Sequence, residues 1–355
     1  MLSLQLIYDN IIFSLQRAGG ISVYWSELCK RQANQNNCSF YGMPTNNLFQ
    51  PNLSLLKETS LSSRIVRYLP FLPKIPVGAI FHSSYYRVSK QKGVLNVTTV
   101  HDFTYEYYRR GLAKWIHTWQ KGQAIRRSTG IICVSKNTKN DLLKFYPDIP
   151  TSKIRVIHNG VDESFQPLAA PEEQLAARFP ILLGKKYLLY VGDRSSYKNF
   201  QLAITVKQKR QDLALVLIGG GTLNPEEIKN LGGNYYHYQG IDSASLNILY
   251  NSAFCLFYPS AYEGFGIPVL EAMRAGCPVI AASRSSIPEV AGEAALLVEK
   301  LTANDFLVAI ESLGDSALRK QLIEQGLVQA EKFSWDKCFA ETYSFYQHLV
   351  EENIL

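Results

Sequence analysis

The chain alternates short apolar runs with longer amphipathic segments over most of its length. The runs are rich in aromatic and β-branched residues and are typical of strands buried on both faces of a parallel sheet. Between them, apolar positions recur at helical spacing, with glycine, proline and asparagine at the junctions. This order predicts an α/β protein. The predicted strands are Leu2–Tyr8, Gly78–Phe81, Leu95–Val100, Gly130–Val134, Ile154–Ile157, Tyr187–Val191, Leu213–Ile218, Phe254–Tyr258 and Val279–Ala282.

The predicted strands fall into two groups. Residues 163–184 lie between the groups and hold three prolines and an alanine-rich segment, a composition typical of a linker. A chain of 355 residues is also long for one hydrophobic core. We therefore predict two domains, with a boundary near residues 165–185 and a final helix over 336–351.

One stretch of the second group combines a strand, a glycine loop and a helix start. Gly264 and Gly266 permit close approach of a ligand to main-chain N–H groups, and Pro268 suits the first position of a helix. Amides at a helix N-terminus favour a phosphate. Glu263 and Glu271 lie on either side of this site, where carboxylates can accept hydrogen bonds from sugar hydroxyls.

Basic and glycine residues follow other predicted strands of the second group. After Tyr187–Val191 come Gly192, Arg194 and Lys198, and an arginine with a lysine at this place can clamp two phosphates. An ordinary exposed Arg/Lys pair is the alternative. Gly219 follows the next strand, and Ile241 precedes the helical pattern after it.

In the first group, polar residues follow the strands. The pair Gly19 and Gly20 separates the first strand from a helix, as at the opening of a dinucleotide fold. The carboxyl ends of parallel strands face the ligand crevice, which makes His82 and His101 candidates. The tyrosines and the glutamate that follow either line an acceptor pocket or pack in the core. These acceptor-side candidates are Tyr85, Tyr105 and Glu106, with His82.

The residues Ser260, Glu263-Gly264-Phe265-Gly266, Pro268 and Glu271 resemble the donor-site signature of family 4 retaining glycosyltransferases, in which seven residues separate two glutamates. The resemblance implies the GT-B fold, an α/β architecture of two Rossmann-like domains that face each other across a cleft. It implies an acceptor-side domain over 1–164, to which a C-terminal helix over 336–355 returns. The nucleotide-sugar domain is then 165–335.

The resemblance also implies the roles of individual residues. Asp193 stands where the family's arginine usually follows the glycine, so the arginine role passes to Arg194. The implied catalytic residues are His101, Glu263, Arg194 and Lys198. The implied donor-binding residues are Gly19, Gly20, Gly192, Gly219, Ile241, Ser260, Gly264, Phe265, Gly266, Ile267, Leu270 and Glu271.

The implied reaction is transfer of a hexosyl group, as in a mannosyltransferase, from a nucleoside-diphosphate sugar to a glycan or lipid-linked glycan. Family relatives of this kind act in bacterial cell-surface polysaccharide assembly. Cations and amides stabilise the leaving diphosphate, so no metal and no cofactor are expected. A nucleotide-sugar epimerase or dehydrogenase is the alternative, although the chain lacks the Gly-x-Gly-x-x-Gly pattern. A glycosyltransferase for a small soluble acceptor is another.

Charge is unevenly divided along the chain. Residues 1–160 hold 21 Lys+Arg against 7 Asp+Glu, whereas the remainder holds 16 against 23. The first half is therefore expected to meet an anionic partner. No nucleic-acid-binding module accompanies the charge, so an anionic membrane carrying the acceptor is predicted, with a cytoplasmic, peripheral location. A basic helix with its aromatics in the core is the alternative. The candidate contacts, beside Trp115 and Trp119, are Arg109, Arg110, Lys114, Lys121, Arg126 and Arg127.

Overall fold

The computed structural model describes residues 4–33, 35 and 37–353, which form two compact units. The first unit comprises residues 1–160 and 335–355, and the second comprises residues 161–334. The chain therefore passes between units at Gly160, before the boundary predicted at 164. Leu2 and Ser3 of the first predicted strand and the last two residues of the chain lie outside the described residues.

The first unit is built on a parallel sheet with the strand order β3-β2-β1-β4-β5-β6-β7. The central strands are fully buried, and their buried residues are mostly apolar with a few polar side chains such as His82 and Thr99. The strands are β1 (Leu6–Asp9), β2 (Cys38–Tyr41), β3 (Leu55–Leu56), β4 (Ile80–Ser83), β5 (Leu95–Val100), β6 (Gly130–Cys133) and β7 (Ile154–Val156).

The helices of the first unit come from both ends of the chain. The last helix, α15, packs against α2, and the Tyr346 hydroxyl on α15 lies 3.2 Å from the Tyr8 hydroxyl on β1. Residues 335–353 thus complete the core of the first unit. The helices are α1 (Ile12–Leu15), α2 (Gly20–Ala33), α3 (Ser63–Val66), α4 (Thr104–Tyr108), α5 (Gly111–Arg127), α6 (Lys136–Phe145) and α15 (Trp335–Asn353).

The second unit is built on a parallel sheet with the order β10-β9-β8-β11-β12-β13. Its core is an apolar cluster around the central strands and includes Leu188, Leu215, Phe257 and Ile280. The strands are β8 (Tyr187–Val191), β9 (Ala214–Ile218), β10 (Tyr235–Tyr238), β11 (Cys255–Tyr258), β12 (Val279–Ala282) and β13 (Leu296–Val298).

Polar N-caps and prolines mark the helix starts of the second unit. Asn224 and Glu227 form a capping box, and Asp242 caps the next helix by accepting a hydrogen bond from the Ser245 amide at 2.7 Å. The helices are α7 (Pro171–Arg178), α8 (Phe200–Lys209), α9 (Pro225–Leu231), α10 (Ser243–Ser252), α11 (Ile267–Arg274), α12 (Ile287–Ala291), α13 (Ala303–Ser312) and α14 (Ser316–Glu331).

The predicted fold class is confirmed, because each unit has a Rossmann-like parallel sheet. In both sheets the strand order reverses once, between β1 and β4 and between β8 and β11. Ligands of such folds bind beyond the carboxyl ends of the strands at this reversal. Over the residues that the structure describes, no helix has the length and apolarity needed to cross a membrane.

Candidate functional site

The glycine loop of the second unit connects β11 to α11 at the reversal of the sheet. Gly266 precedes α11 with a φ of 107°, in the left-handed region, and a Cβ there would lie 2.7 Å from Ile287 Cδ1. Only glycine fits this position without displacement. The loop therefore brings its main chain directly to the start of α11, where Pro268 has no N–H and the Val269 amide donates to the Gly266 carbonyl at 3.0 Å.

Two serines that the sequence reasoning missed hold this loop. Ser285 Oγ accepts a hydrogen bond from the Glu263 amide at 2.8 Å, and Ser286 Oγ donates to the carbonyls of Glu263 and Phe265 at 2.9 and 2.8 Å. Both serines follow β12, at the same sheet edge, and this polar run after a strand is the signal that could have identified them. The loop is thus positioned before any ligand arrives.

Lys198 and Glu263 meet at the centre of this edge. Lys198 follows β8 and Glu263 follows β11, and the Lys198 amine lies 2.7 and 2.9 Å from the two carboxylate oxygens. The two side chains remain 13% and 11% exposed. Asn199 supports the arrangement, because its side-chain amide donates to the Pro259 carbonyl at 2.8 Å. The structure therefore brings together a cation, a carboxylate and a glycine loop.

Arg194 also follows β8, and its partners are residues of the β9 side of the second unit. Its Nε donates to Glu227 at 2.8 Å, and its Nη atoms donate to the carbonyls of Gly219 at 3.4 Å and Thr222 at 2.8 Å. Each guanidinium nitrogen has a partner, so the side chain fastens the glycine turn after β9, and its predicted role towards the diphosphate stays a prediction. A Cβ at Gly220 would collide with this guanidinium.

Glu271 lies on α11, partly exposed, and accepts a hydrogen bond from the Tyr250 hydroxyl at 2.9 Å. Burial raises the pKa of the Glu271 carboxyl to about 7, while the Tyr250 hydrogen bond acts in the opposite direction. The group therefore changes charge near neutral pH. Tyr250, on α10, was not predicted, because twenty-one positions separate it from Glu271.

The remaining predicted donor contacts divide into two sets. The side chains of Ser260, Phe265 and Leu270 are buried, so they pack inside the second unit and are not available to contact a ligand. Gly192, Gly219 and Ile241 follow β8, β9 and β10 at the same edge of the sheet, and Ile241 and Ile267 are partly exposed. Gly264 lies within the loop itself.

In the first unit, Gly19 precedes α2 and Gly20 is its first residue, as the strand, glycine and helix pattern predicts. His101 follows β5 and is partly exposed, with its ring 5.0 Å from that of Tyr24. Burial lowers the pKa of the His101 imidazole to about 4. His101 is therefore neutral at physiological pH and suited to hydrogen bonding rather than to charge.

Two acceptor-side predictions need correction. His82 lies inside β4 because that strand extends beyond Phe81, and its ring nitrogens lie 2.6 Å from Tyr346 Oη and 2.9 Å from Thr99 Oγ1. The side chain is fully buried, and burial lowers the pKa of the His82 imidazole to about 3. Glu106 is also buried, in an ion pair with Lys121 at 2.8 Å. Both residues stabilise the core.

Tyr85 and Tyr105, the other two acceptor-side candidates, line an open cavity of about 310 Å³ in the first unit. These two tyrosines are therefore accessible to a ligand, whereas His82 and Glu106 are buried. Over the described ranges, 4–33, 35 and 37–353, no group of three His, Cys, Asp or Glu side chains is arranged as metal ligands.

The burial and the partners of the basic side chains on α5 also differ from the prediction. Lys121 is fully buried, Lys114 donates to the Glu106 carbonyl at 2.7 Å, and Arg126 pairs with Asp148 at 3.1 Å. Lys121 is therefore excluded as a membrane contact. Arg109, Arg110 and Arg127 are exposed. The aromatic residues are outside the core, since Leu112, Trp115 and Trp119 are 71%, 66% and 54% exposed.

Comparisons with known proteins agree with this geometry. A family model described as Glycosyltransferase Family 4 matches residues 18–165, and one described as Glycosyl transferases group 1 matches residues 172–328. The O-antigen chain mannosyltransferase B of Escherichia coli is 27% identical over 269 residues, which are 71% of this chain and 70% of that protein.

Solved structures show the same fold. The sucrose-phosphate synthase of Thermosynechococcus elongatus aligns with a TM-score of 0.77 at 20% identity, covering 98% of this chain and 100% of that one. Anabaena HepE in complex with UDP and glucose aligns with a TM-score of 0.74 at 11% identity, covering 97% and 99% of the two chains.

Proposed function

This chain belongs to glycosyltransferase family 4, and we propose that it transfers a hexosyl group, with retention and without a metal, from a nucleoside-diphosphate sugar to a glycan or lipid-linked glycan. The observation that carries the proposal is the Lys198–Glu263 pair beside the glycine loop at the β8/β11 reversal. The UDP and glucose complex of HepE supports a nucleotide-sugar donor. The likeness to an O-antigen mannosyltransferase supports a glycan acceptor in surface polysaccharide assembly.

Lys198 would receive the charge of the leaving group. When the bond between the anomeric carbon and the β-phosphate oxygen breaks, negative charge develops on that oxygen. Donor binding would move the Lys198 amine from Glu263 to the diphosphate, and the amides of the glycine loop would supply further hydrogen bonds. The released Glu263 carboxylate can then accept hydrogen bonds from the donor sugar.

Retention follows if the acceptor attacks the face from which the diphosphate departs. The acceptor oxygen bonds to the anomeric carbon, and its proton passes to the leaving phosphate oxygen, so no enzymic nucleophile is needed. Glu271 would accept hydrogen bonds from the ribose. Neutral His101 would hydrogen-bond a hydroxyl of the donor sugar.

A transfer assay tests this proposal. Purified protein is incubated with a panel of nucleoside-diphosphate sugars, with and without glycan acceptors, and nucleoside diphosphate release is measured. We expect acceptor-dependent release that survives excess EDTA, and NMR of the product should show the donor's anomeric configuration. Inversion, or activity that EDTA abolishes and Mg²⁺ restores, would contradict the mechanism. Isomerised or oxidised sugar without release would favour an epimerase or dehydrogenase.

The acceptor side of the proposal includes a membrane. Leu112, Trp115 and Trp119 are exposed at successive helical turns of α5, and tryptophan favours the membrane–water interface. The exposed Arg109, Arg110 and Arg127 lie at the two ends of α5 and add positive charge there. Each is worth about 1 kcal/mol at an anionic leaflet. We therefore propose that α5 docks on anionic membrane.

Vesicle co-sedimentation tests the docking. The wild type should pellet with anionic vesicles at low salt and be released by high salt, because screening weakens the arginine contacts. The double variant Trp115→Ser/Trp119→Ser should lose most of this binding. Val308→Ser, which removes an exposed apolar side chain of the second unit, is the matched control. Pelleting with neither kind of vesicle would exclude the membrane and favour a soluble acceptor, and equal pelleting with neutral and anionic vesicles would exclude the proposed anionic membrane.

A further inference from the structure

The cavity beside Tyr85 and Tyr105 has a lining that no part of the proposed reaction uses. It lies in the first unit, between the end of α3, the loop after β4, α4 and α5, and has a volume of about 310 Å³. The lining residues that matter here are Arg67, Tyr68, Tyr85, Tyr105, His117 and Gln120.

The lining carries positive charge alone. Arg67 is the ionised side chain of the cavity wall, and none of the described residues that line the cavity is Asp or Glu. Burial lowers the pKa of the His117 imidazole to about 3, so this ring is neutral at physiological pH. An anion entering the cavity would therefore meet one cation and no like charge.

Three polar atoms of the lining have no hydrogen-bond partner among the described residues. They are Arg67 Nε, His117 Nδ1 and Gln120 Oε1, and all three are buried. The Gln120 side chain is itself buried, with its amide nitrogen bonded to the Arg67 carbonyl. Leaving a buried polar atom without a hydrogen-bond partner destabilises the protein. Together these atoms offer donors and acceptors that a polar ligand would satisfy.

Aromatic rings supply the other part of the wall. Tyr105 and His117 stack with centroids 3.7 Å apart, and the Arg67 guanidinium lies 4.5 Å from the Tyr85 ring centroid and 5.2 Å from that of Tyr68. Flat rings pack well against the apolar face of a pyranose, while polar groups at their edges fix its orientation. The combination fits a sugar more closely than a purely apolar ligand.

We propose that this cavity binds a sugar unit of the acceptor that carries an anionic group, either phosphate or carboxylate. The Arg67 guanidinium would pair with the anion, His117 and Gln120 would hydrogen-bond hydroxyls, and Tyr105 would pack against the sugar ring. This inference rests on the proposed function, because it specifies the acceptor of that reaction.

Direct binding to the full chain tests the inference without requiring turnover. The probes are methyl α-glucoside, its 6-phosphate and methyl α-glucuronide, titrated by ligand-observed NMR. Both anionic probes should bind at least about tenfold more tightly than the neutral one, since a charge-assisted contact is worth about 1.5–3 kcal/mol. Comparison of the two anionic probes distinguishes phosphate from carboxylate.

Variants assign the binding to the cavity. Arg67→Gln should remove the preference for the anionic probes, and Tyr105→Ala should weaken all three. Arg64→Gln, an exposed arginine of α3, and Lys229→Ala, an exposed lysine of the second unit, should change neither result. Equal binding of neutral and charged probes, or an anion preference that Arg67→Gln leaves intact, would overturn the inference. If the protein transfers sugar but does not bind the probes, the cavity proposal is wrong and the proposed reaction stands. If the protein binds the probes but does not turn over a nucleotide sugar, only the proposed reaction is wrong.

Discussion

The two units have the same strand order where their sheets reverse, but different side chains occupy the space beyond the strands there. In the first unit, Asp9 and Ser83 end β1 and β4, and Arg87 joins Asp9 to Glu58 with distances of 2.9 and 2.8 Å. The Arg87 side chain is 0% exposed. In the second unit, Lys198 and Glu263 keep part of their surface in solvent. Topology thus provides a place for a ligand, but the local side chains decide whether that place is already occupied.

The largest expected effect comes from removing the Arg87 side chain, which occupies the β1/β4 reversal of the first unit. Arg87→Ala would leave the carboxylates of Asp9 and Glu58 buried without their cation, which should lower the free energy of unfolding by about 3–5 kcal/mol. All four tryptophans, Trp25, Trp115, Trp119 and Trp335, belong to the first unit. Tryptophan fluorescence during urea denaturation therefore reports on that unit. Arg64→Ala, at an exposed position, is the control, and equal midpoints for the two variants would refute the structural role of Arg87.

A smaller effect is expected at the β8/β11 reversal of the second unit, where a substitution should change activity rather than stability. Lys198→Ala should slow sugar transfer about 10²-fold, because the leaving diphosphate loses a charge-assisted contact. The fluorescence transition of the first unit should not move. The exposed Lys229→Ala on α9 is the control for loss of a lysine from the same unit. Near wild-type turnover of Lys198→Ala would remove this residue from the mechanism.

The smallest effect concerns pH. The Glu271 carboxyl has a pKa raised to about 7, and a carboxylate accepts ribose hydrogen bonds better than a protonated carboxyl. Nucleotide affinity should therefore rise severalfold from pH 6 to pH 8 and level off above that. Dissociation constants measured at each pH for wild type and Glu271→Gln test this, because the variant retains only the titration of the nucleotide itself. Parallel curves for the two proteins would show that Glu271 does not contact the donor.

The sequence was most informative where function depends on neighbours along the chain. The glycine loop, the start of α11 and the positions of Lys198 and Glu263 after their strands follow from local signals. It was least informative where a side chain has a distant partner. Arg194 turns towards Glu227, thirty-three positions away, and Lys121 is buried because Glu106 neutralises it from another helix. The sequence predicted a phosphate contact for Arg194 and a membrane contact for Lys121, and neither partner seen in the structure could be read from it.

His82 illustrates a second limit of prediction from the sequence, which is the exact end of a strand. The apolar run predicted a strand that stops at Phe81, whereas β4 continues to Ser83. Because successive residues of a strand face opposite sides, such an extension decides whether a polar residue ends the strand or lies within the core. Hydrogen bonds to Tyr346 and Thr99 compensate the burial of the His82 ring, and neither partner is near it in sequence.

The return of α15 to the first unit has a consequence for synthesis on the ribosome. The second unit is continuous over residues 161–334 and can fold as soon as that segment emerges. The first unit instead needs Tyr346, which contacts both Tyr8 and His82, and this residue is made only after the whole second unit. The usual vectorial order, in which the N-terminal domain folds first, is therefore reversed. The nascent first unit waits with its core incomplete until Tyr346 has emerged.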